Sequence, residues 1–448
     1  MRLRRVPRNA PEAAWLLLVF GSVSAIGQQW DVPARMAGSV ATATGGKLTI
    51  SGEARGLYER RTGQSFGRDP DVDTMLYRHS LSMRYKPAPW LAISGMMRDS
   101  RAPGYGPNAP NSVRDEADLQ EGYVELFPAR KQGFGMTAGR MALAYGEFRL
   151  IGTSRWGNVG RAFDHARVYW RFAKARVDFL IASPVKIRLG GFNRPVLGER
   201  VWGAYSSLPD LAGKNLLEMY ALRREQNRPG GFTGGSQEAG TDHLRVNTFG
   251  ARATGPLPHG LKYMTEGAVQ TGKVGPARQC AAAWVGSVTR QWMAGKRSLD
   301  LLGEYKYASG TKDPRDASRD GTFDQLYPSN HGKFGDMDLF GWRNIHNVRS
   351  LATLGVTKAV ALNAMYNSWW LASVRDGLYN SSGRSLARSA DGTAGRHVGQ
   401  EADVYGTVKI GRFTFGAGYG YVCKGEFIRK ATTGVGPSYA YIFHTYAF

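Results

Sequence analysis

Apolar and polar residues alternate with a period of two in several stretches of this chain, and that alternation limits its folds more than any other feature. In 76–85, Tyr77, Leu81, Met83 and Tyr85 share one face, while Arg78, Ser80, Ser82 and Arg84 share the other. In 167–172, Val168, Trp170 and Phe172 oppose Arg167, Tyr169 and Arg171. In 298–307, Leu299, Leu301, Gly303, Tyr305 and Tyr307 oppose Ser298, Asp300, Glu304 and Lys306. In 401–410, Ala402, Val404, Val408 and Ile410 oppose Glu401, Asp403, Tyr405, Thr407 and Lys409. Period two means strand, because successive side chains point to opposite faces. A soluble two-layer sandwich alternates in the same way. Arginine in the middle of the polar face favours a barrel, whose water-filled lumen hydrates a guanidinium.

The 448 residues would fill two or three soluble domains or one large barrel. Mean hydropathy is −0.36, which a barrel also has, since only alternate residues meet lipid. The 58 glycines lie in strand-like segments beside 21 Tyr, 19 Phe and 11 Trp, as suits strands with aromatic girdles. No internal repeat or linker is visible. One domain, residues 48–448, is expected after a lead-in at 26–47.

Residues 1–25 read as a signal peptide. Arg2, Arg4, Arg5 and Arg8 form a basic start, an apolar run begins at Ala13, and Val23-Ser24-Ala25 offers small residues for cleavage. After it, the best candidate for a membrane helix, Ala359 to Val374, is interrupted by Asn363, Asn367 and Ser368. The end of the sequence has the form of a closing strand, with Phe448, Tyr446, His444, Ile442 and Ala440 at alternate positions. The expectation is an all-β protein: a single transmembrane antiparallel β-barrel in the outer membrane of a Gram-negative bacterium. Pro87-Ala88-Pro89 and 255–258 read as short periplasmic turns. The polar stretches 99–118, 226–242, 309–340 and 380–398 read as longer extracellular loops. The residue count allows about 16 to 18 strands.

Charge indicates what such a barrel holds. The chain has 59 Lys+Arg against 36 Asp+Glu, a net +23. Setting aside 1–25, with four arginines and one acid, leaves about +20. Such an excess attracts polyanions, although a generally basic proteome or a need for solubility also produces it.

Two blocks carry a family resemblance. GRMALAYGEFRLIGTSRWGNVGRAFDHARVYW (139–170) and TFDQLYPSNHGKFGDMDLFGWRNIHNVR (322–349) are similar to the alginate export family of outer-membrane barrels. Val398-Gly399-Gln400-Glu401-Ala402-Asp403 and Gly418-Tyr419-Gly420-Tyr421 resemble its closing strands. The resemblance runs from about Leu48 to the end. It implies about 18 strands and an arginine-rich pore conducting an anionic polyuronate. Arginine suits that role, because its planar fork matches a carboxylate and stays charged at neutral pH. The blocks suggest Arg140, Arg149, Arg161, Arg167, Arg343 and Arg349 as substrate-binding pore residues, and alternation alone suggests Arg78 and Arg84. About half of the eight are expected to brace the wall by pairing with Glu121, Glu125, Glu147, Asp164, Glu401 or Asp403.

The leading expectation is therefore a non-enzymatic, anion-selective channel for an acidic polysaccharide or sugar acid. It would act as a monomer among outer-membrane lipids, alongside periplasmic export components, without nucleic acid. A general porin for small anionic or sugar solutes is the alternative. An outer-membrane enzyme acting on polysaccharide or lipid is a rival of another class. Tyr327, Ser329 and His331 are its residues, but no G-x-S-x-G elbow accompanies them. The 309–340 loop carries Asp313, Asp316, Asp320, Asp324, Asp336 and Asp338. Calcium needs six to eight oxygens, and with no EF-hand spacing a solvated loop is the preferred reading, so no cofactor is expected. Cys280 and Cys423 are two lone thiols or one optional bridge.

Overall fold

The computed structural model describes residues 31–108, 112–128, 132–211, 213–227 and 243–448. The signal peptide expected over 1–25 lies outside them. A helix, α1 (Asp31–Ala43), leads into the first strand. The long strands follow in order. β1 (Leu48–Thr62), β2 (Val72–Ala88), β3 (Leu91–Arg101), β4 (Asp115–Leu126), β5 (Gly133–Met141) and β6 (Phe163–Phe172) make the first third. β7 (Ala175–Lys186), β8 (Glu199–Leu211), β9 (Asn215–Gln226), β10 (Leu244–Pro256), β11 (Leu261–Val274) and β12 (Ala277–Ala294) make the second. β13 (Arg297–Ala308), β14 (Ile345–Gly355), β15 (Val360–Leu371), β16 (His397–Ile410), β17 (Phe413–Lys424) and β18 (Ser438–Ala447) complete it.

Each of these eighteen strands pairs antiparallel with the next, and β18 returns to β1 from Glu53↔Ala447 to Thr62↔Ser438. Closure removes the unpaired edge that a bilayer could not hydrogen-bond. Phe448 completes it: Gly52 and Phe448 exchange two backbone hydrogen bonds of 3.1 Å. The Phe448 ring lies where a side chain at position 52 would be, since a Cβ there would fall 2.3 Å from it.

The two faces follow the sequence pattern. Tyr77, Leu81, Met83, Val168, Trp170, Leu299, Leu301 and Val404 are exposed on the outer wall, while Arg78, Tyr169, Glu304, Lys306, Glu401 and Asp403 are buried inside. No described helix is long and apolar enough to cross a membrane. Chain reversals at 88–91 and 256–261 are short, as expected, and mark the periplasmic end. At the other end the long connections are 102–114, 142–162, 187–198, 309–344, 372–396 and 425–437, with 109–111 and 228–242 outside the described residues. Three of these, 142–162, 187–198 and 425–437, are not legible as loops in the sequence. Conversely, β11 and β12 join at this end through only Gly275-Pro276, with Gly275 at φ 56°. Cys280 and Cys423 are free thiols exposed on β12 and β17.

Candidate functional site

The connection 309–344 turns into the lumen. Its Phe323, Leu326, Tyr327, Phe334, Phe340 and Trp342 are at most 1% exposed, so the barrel interior serves as their core. Polar groups of the wall take up its backbone. Gln270 of β11 bonds both the N–H and the carbonyl of Asp324, each at 2.7 Å. Lys306 of β13 donates to Asn347 Oδ1 at 2.7 Å and to the Lys333 carbonyl. Arg224 of β9, fully buried, meets both Asp324 oxygens at 3.0 Å and Glu199 at 3.1 Å. Tyr327 donates to the same Glu199 at 2.7 Å. Burial alone would raise the Asp324 carboxyl, but Arg224 and Arg343 outweigh it and hold the group below the usual range.

The second inward segment, 142–162, hangs on arginines of the wall. Arg78 donates to the Arg155 and Gly157 carbonyls at 3.0 and 2.9 Å, Arg55 to that of Trp156 at 2.7 Å, and Arg98 to that of Val159 at 2.6 Å. Ser100 reaches the Asn158 carbonyl at 2.9 Å. Five successive carbonyls are thus satisfied by β1, β2 and β3. The two inward segments also bond each other, Tyr327 N–H to Leu150 O at 2.7 Å and Gly152 N–H to Tyr327 O at 2.9 Å. Together they form a plug.

Two cavities flank the plug. Above it, towards the extracellular end, a cavity of about 820 Å³ is lined by Arg61, Arg140, Arg161, Lys186 and Arg384 against Glu59, Asp69 and Asp338. Below it, a cavity of about 540 Å³ is lined by Arg149, Lys333 and Arg349 against Glu147, Glu304 and Asp336. Trp156 and His331 line both cavities. Their rings are stacked, 4.3 Å between centroids and 3° from parallel. Arg55 covers Trp156 at 4.6 Å, and His331 is held by Asp336 at 3.2 Å and Asp338 at 2.9 Å. Desolvation, with Arg149 and Arg349 nearby, brings the Lys333 ammonium down to about 8.

The eight sequence-derived arginines occupy varied places. Arg78 pairs with Glu53 at 2.7 Å, Arg84 with Glu125, Arg140 with Asp164 at 2.7 and 2.9 Å and Arg167 with Asp178 at 3.7 Å. Arg149 and Arg349 come together on Glu304, at 2.5 and 3.0 Å. Arg149 and Arg161 lie on the plug rather than on strands, and Arg161 donates to the Pro328 carbonyl at 2.7 Å. Arg343 rests 4.3 Å over the Tyr379 ring. Arg78, Arg84, Arg167 and Arg343 line neither cavity. The six loop aspartates are dispersed. Asp324 serves Arg224, Asp336 and Asp338 serve His331, Asp320 accepts from Thr311, and Asp313 and Asp316 cap exposed turns. Sequence reasoning did not single out Arg55, Arg98, Arg224 or Lys333. Arg55 was within reach, since it lies directly opposite Arg78 on the inward face of β1.

A closed barrel with an apolar outer wall and a charged lumen that loops constrict is an outer-membrane channel of a Gram-negative bacterium. Solved structures of such channels share the fold. Pseudomonas aeruginosa OccD3 (OpdP) matches with a TM-score of 0.57 at 13% identity, covering 90% of this chain and 91% of its own. P. aeruginosa OpdK, solved with vanillate, matches with a TM-score of 0.60 at 9% identity, covering 90% and 98%. Among curated proteins no sequence matches. The model of the alginate export family matches residues 47–440. The chain belongs to that family.

Proposed function

We propose that this channel passes an acidic polysaccharide of polyuronate type, by passive diffusion and without covalent chemistry. The observation that carries the reading is the charge of the periplasmic mouth. The exposed Lys174, Lys214, Lys262, Lys296, Arg297, Lys358, Lys409 and Arg412 sit in or beside the short turns, against Asp210. Such a field concentrates a polyanion at the entrance. The upper cavity continues the excess, five cations to three acids. Repeated weak sites let a polymer slide, where one tight site would trap it. Family membership agrees with this cargo.

The plug favours a second reading, a porin for small anionic solutes. With Trp156 stacked on His331, the two cavities suit small molecules better than a polymer, which passes only when the plug moves. OpdK, a channel of similar fold, was solved with the small acid vanillate. The enzyme reading has no such support, because both ring nitrogens of His331 are engaged by aspartates, which leaves neither to take a proton from Ser329. Reversal potentials in planar bilayers under a salt gradient test the charge reading. Anion preference is expected, and cation preference would overturn it.

A further inference from the structure

On the outer wall, at the extracellular ends of the strands, the register places charged residues side by side. Arg200 of β8 faces Glu225 of β9, which faces Arg245 of β10. Arg245 faces Lys273 of β11, and Lys273 faces Arg278 of β12. Arg278 in turn lies beside Arg319, where residues 319–320 add a parallel strand to β12. This row crosses successive strands near their extracellular ends and carries five cations and one acid. The acid is already engaged, since Glu225 accepts from Arg200 and Arg223, both at 2.7 Å. Arg245, Lys273 and Arg278 are exposed, and no carboxylate pairs with them among the described residues. Like charges directly opposite in a sheet repel. Three in succession leave an arrangement that an anion would relieve.

These side chains point away from the lumen. Arg200 shares its face with Trp202, Arg245 with Phe249, Lys273 with Val269 and Arg278 with Trp284, all exposed apolar residues of the lipid-facing wall. Each apolar partner lies two to six residues deeper along its strand, or about 7–20 Å at the rise of a β-strand. Adjacent strands are about 4.8 Å apart, so Arg245, Lys273 and Arg278 span about 10 Å. Charge at the rim with apolar wall beneath is the complement of an amphiphile, anionic at the head and hydrocarbon below. A polyuronate has no apolar part to use that wall.

We infer that Arg245, Lys273 and Arg278 form a binding site for the phosphorylated headgroup of an outer-leaflet glycolipid. The site is separate from the conduit and would anchor the β10–β12 face, where β11 and β12 join through only Gly275-Pro276.

Native mass spectrometry of the detergent-solubilised full-length protein tests the site with diphosphorylated lipid A and its dephosphorylated form. The parent should retain the phosphorylated lipid at least tenfold more tightly. The triple variant R245Q/K273Q/R278Q should lose that preference while keeping the parent's heat-modifiable mobility. If the triple does not fold, K273Q alone should weaken the preference severalfold. Equal retention of the two lipids by the parent, or an unchanged preference in a folded variant, would overturn the inference. Displacement of the lipid by millimolar inorganic phosphate would reduce the site to one for the free ion. Displacement by polyuronate oligomers would reassign it to the cargo, and either result would overturn the lipid assignment. Bilayer conductance of the variant should match the parent, so the outcome is independent of what the lumen carries.

Discussion

Replacing Arg224 by Met tests whether buried ion pairs keep the plug seated. Arg224, Glu199 and Asp324 are each at most 1% exposed. Methionine fills similar space but leaves two carboxylates with no cation between them. Breaking a buried pair from one side costs about 3–5 kcal/mol. At about 1.4 kcal/mol per decade, the balance between seated and unseated segment moves by roughly two to three and a half decades. The eighteen-strand ladder is untouched, because Arg224 acts here through its side chain. Heat-modifiable mobility of R224M should therefore equal that of the parent. Single-channel conductance should rise severalfold as the cavities above and below the plug merge. The triple variant R224M/E199Q/D324N should return towards the parent's conductance, because no unpaired charge remains. Parental conductance in folded R224M, or a triple variant as open as the single, would refute this reasoning.

Other expectations follow from neighbouring features. Trp156→Ala removes the ring stacked on His331 and should raise conductance about twofold or more while the barrel still folds, as recordings in lipid bilayers would reveal. Lys333 has its pKa brought down to about 8 by burial beside Arg149 and Arg349. Its positive charge is present below that pH and lost above it. Anion preference should therefore fall as pH rises from 7 to 9, and reversal potentials of K333Q should lack that step. Phe448→Ala leaves the space over Gly52 unfilled, so unfolding should shift to lower temperature by about one degree for each 1 kcal/mol lost in a chain of this size, measured by loss of the fast-migrating folded band on heating.

The wall of this protein was legible because each strand carries its own information. Period two placed Tyr77 and Trp170 outside, and Arg78 and Glu304 inside, without knowledge of any neighbour. The plug was not legible, for two physical reasons. Phe323, Leu326, Tyr327 and Phe334 fall at helical spacing, but Pro328, Gly332 and Gly335 interrupt it and Phe340 and Trp342 do not continue it, and the aspartates among them suggested a solvated loop. The contacts that hold the plug also join residues far apart in sequence. Arg224 and Asp324 are 100 residues apart, and Arg149 and Glu304 are 155 apart. Arginines suited to carrying an anion therefore lie inward or buried, but their partners could not be read. Arg78 holds carbonyls of 155–157, and Arg161 one at Pro328. The cations at the periplasmic turns, by contrast, are short-range features visible to anyone who places the turns.

The central claim, passage of an acidic polymer, is tested most directly by current interruption. Polyuronate oligomers are added to the periplasmic side of a single channel, under a voltage that drives anions outward. Discrete blocks that shorten as the voltage rises are expected, because a translocating polymer leaves sooner under a larger force, and none with a neutral glucan of equal length. No polyuronate blocks, or blocks that lengthen with voltage as for a plugged entrance, would contradict it.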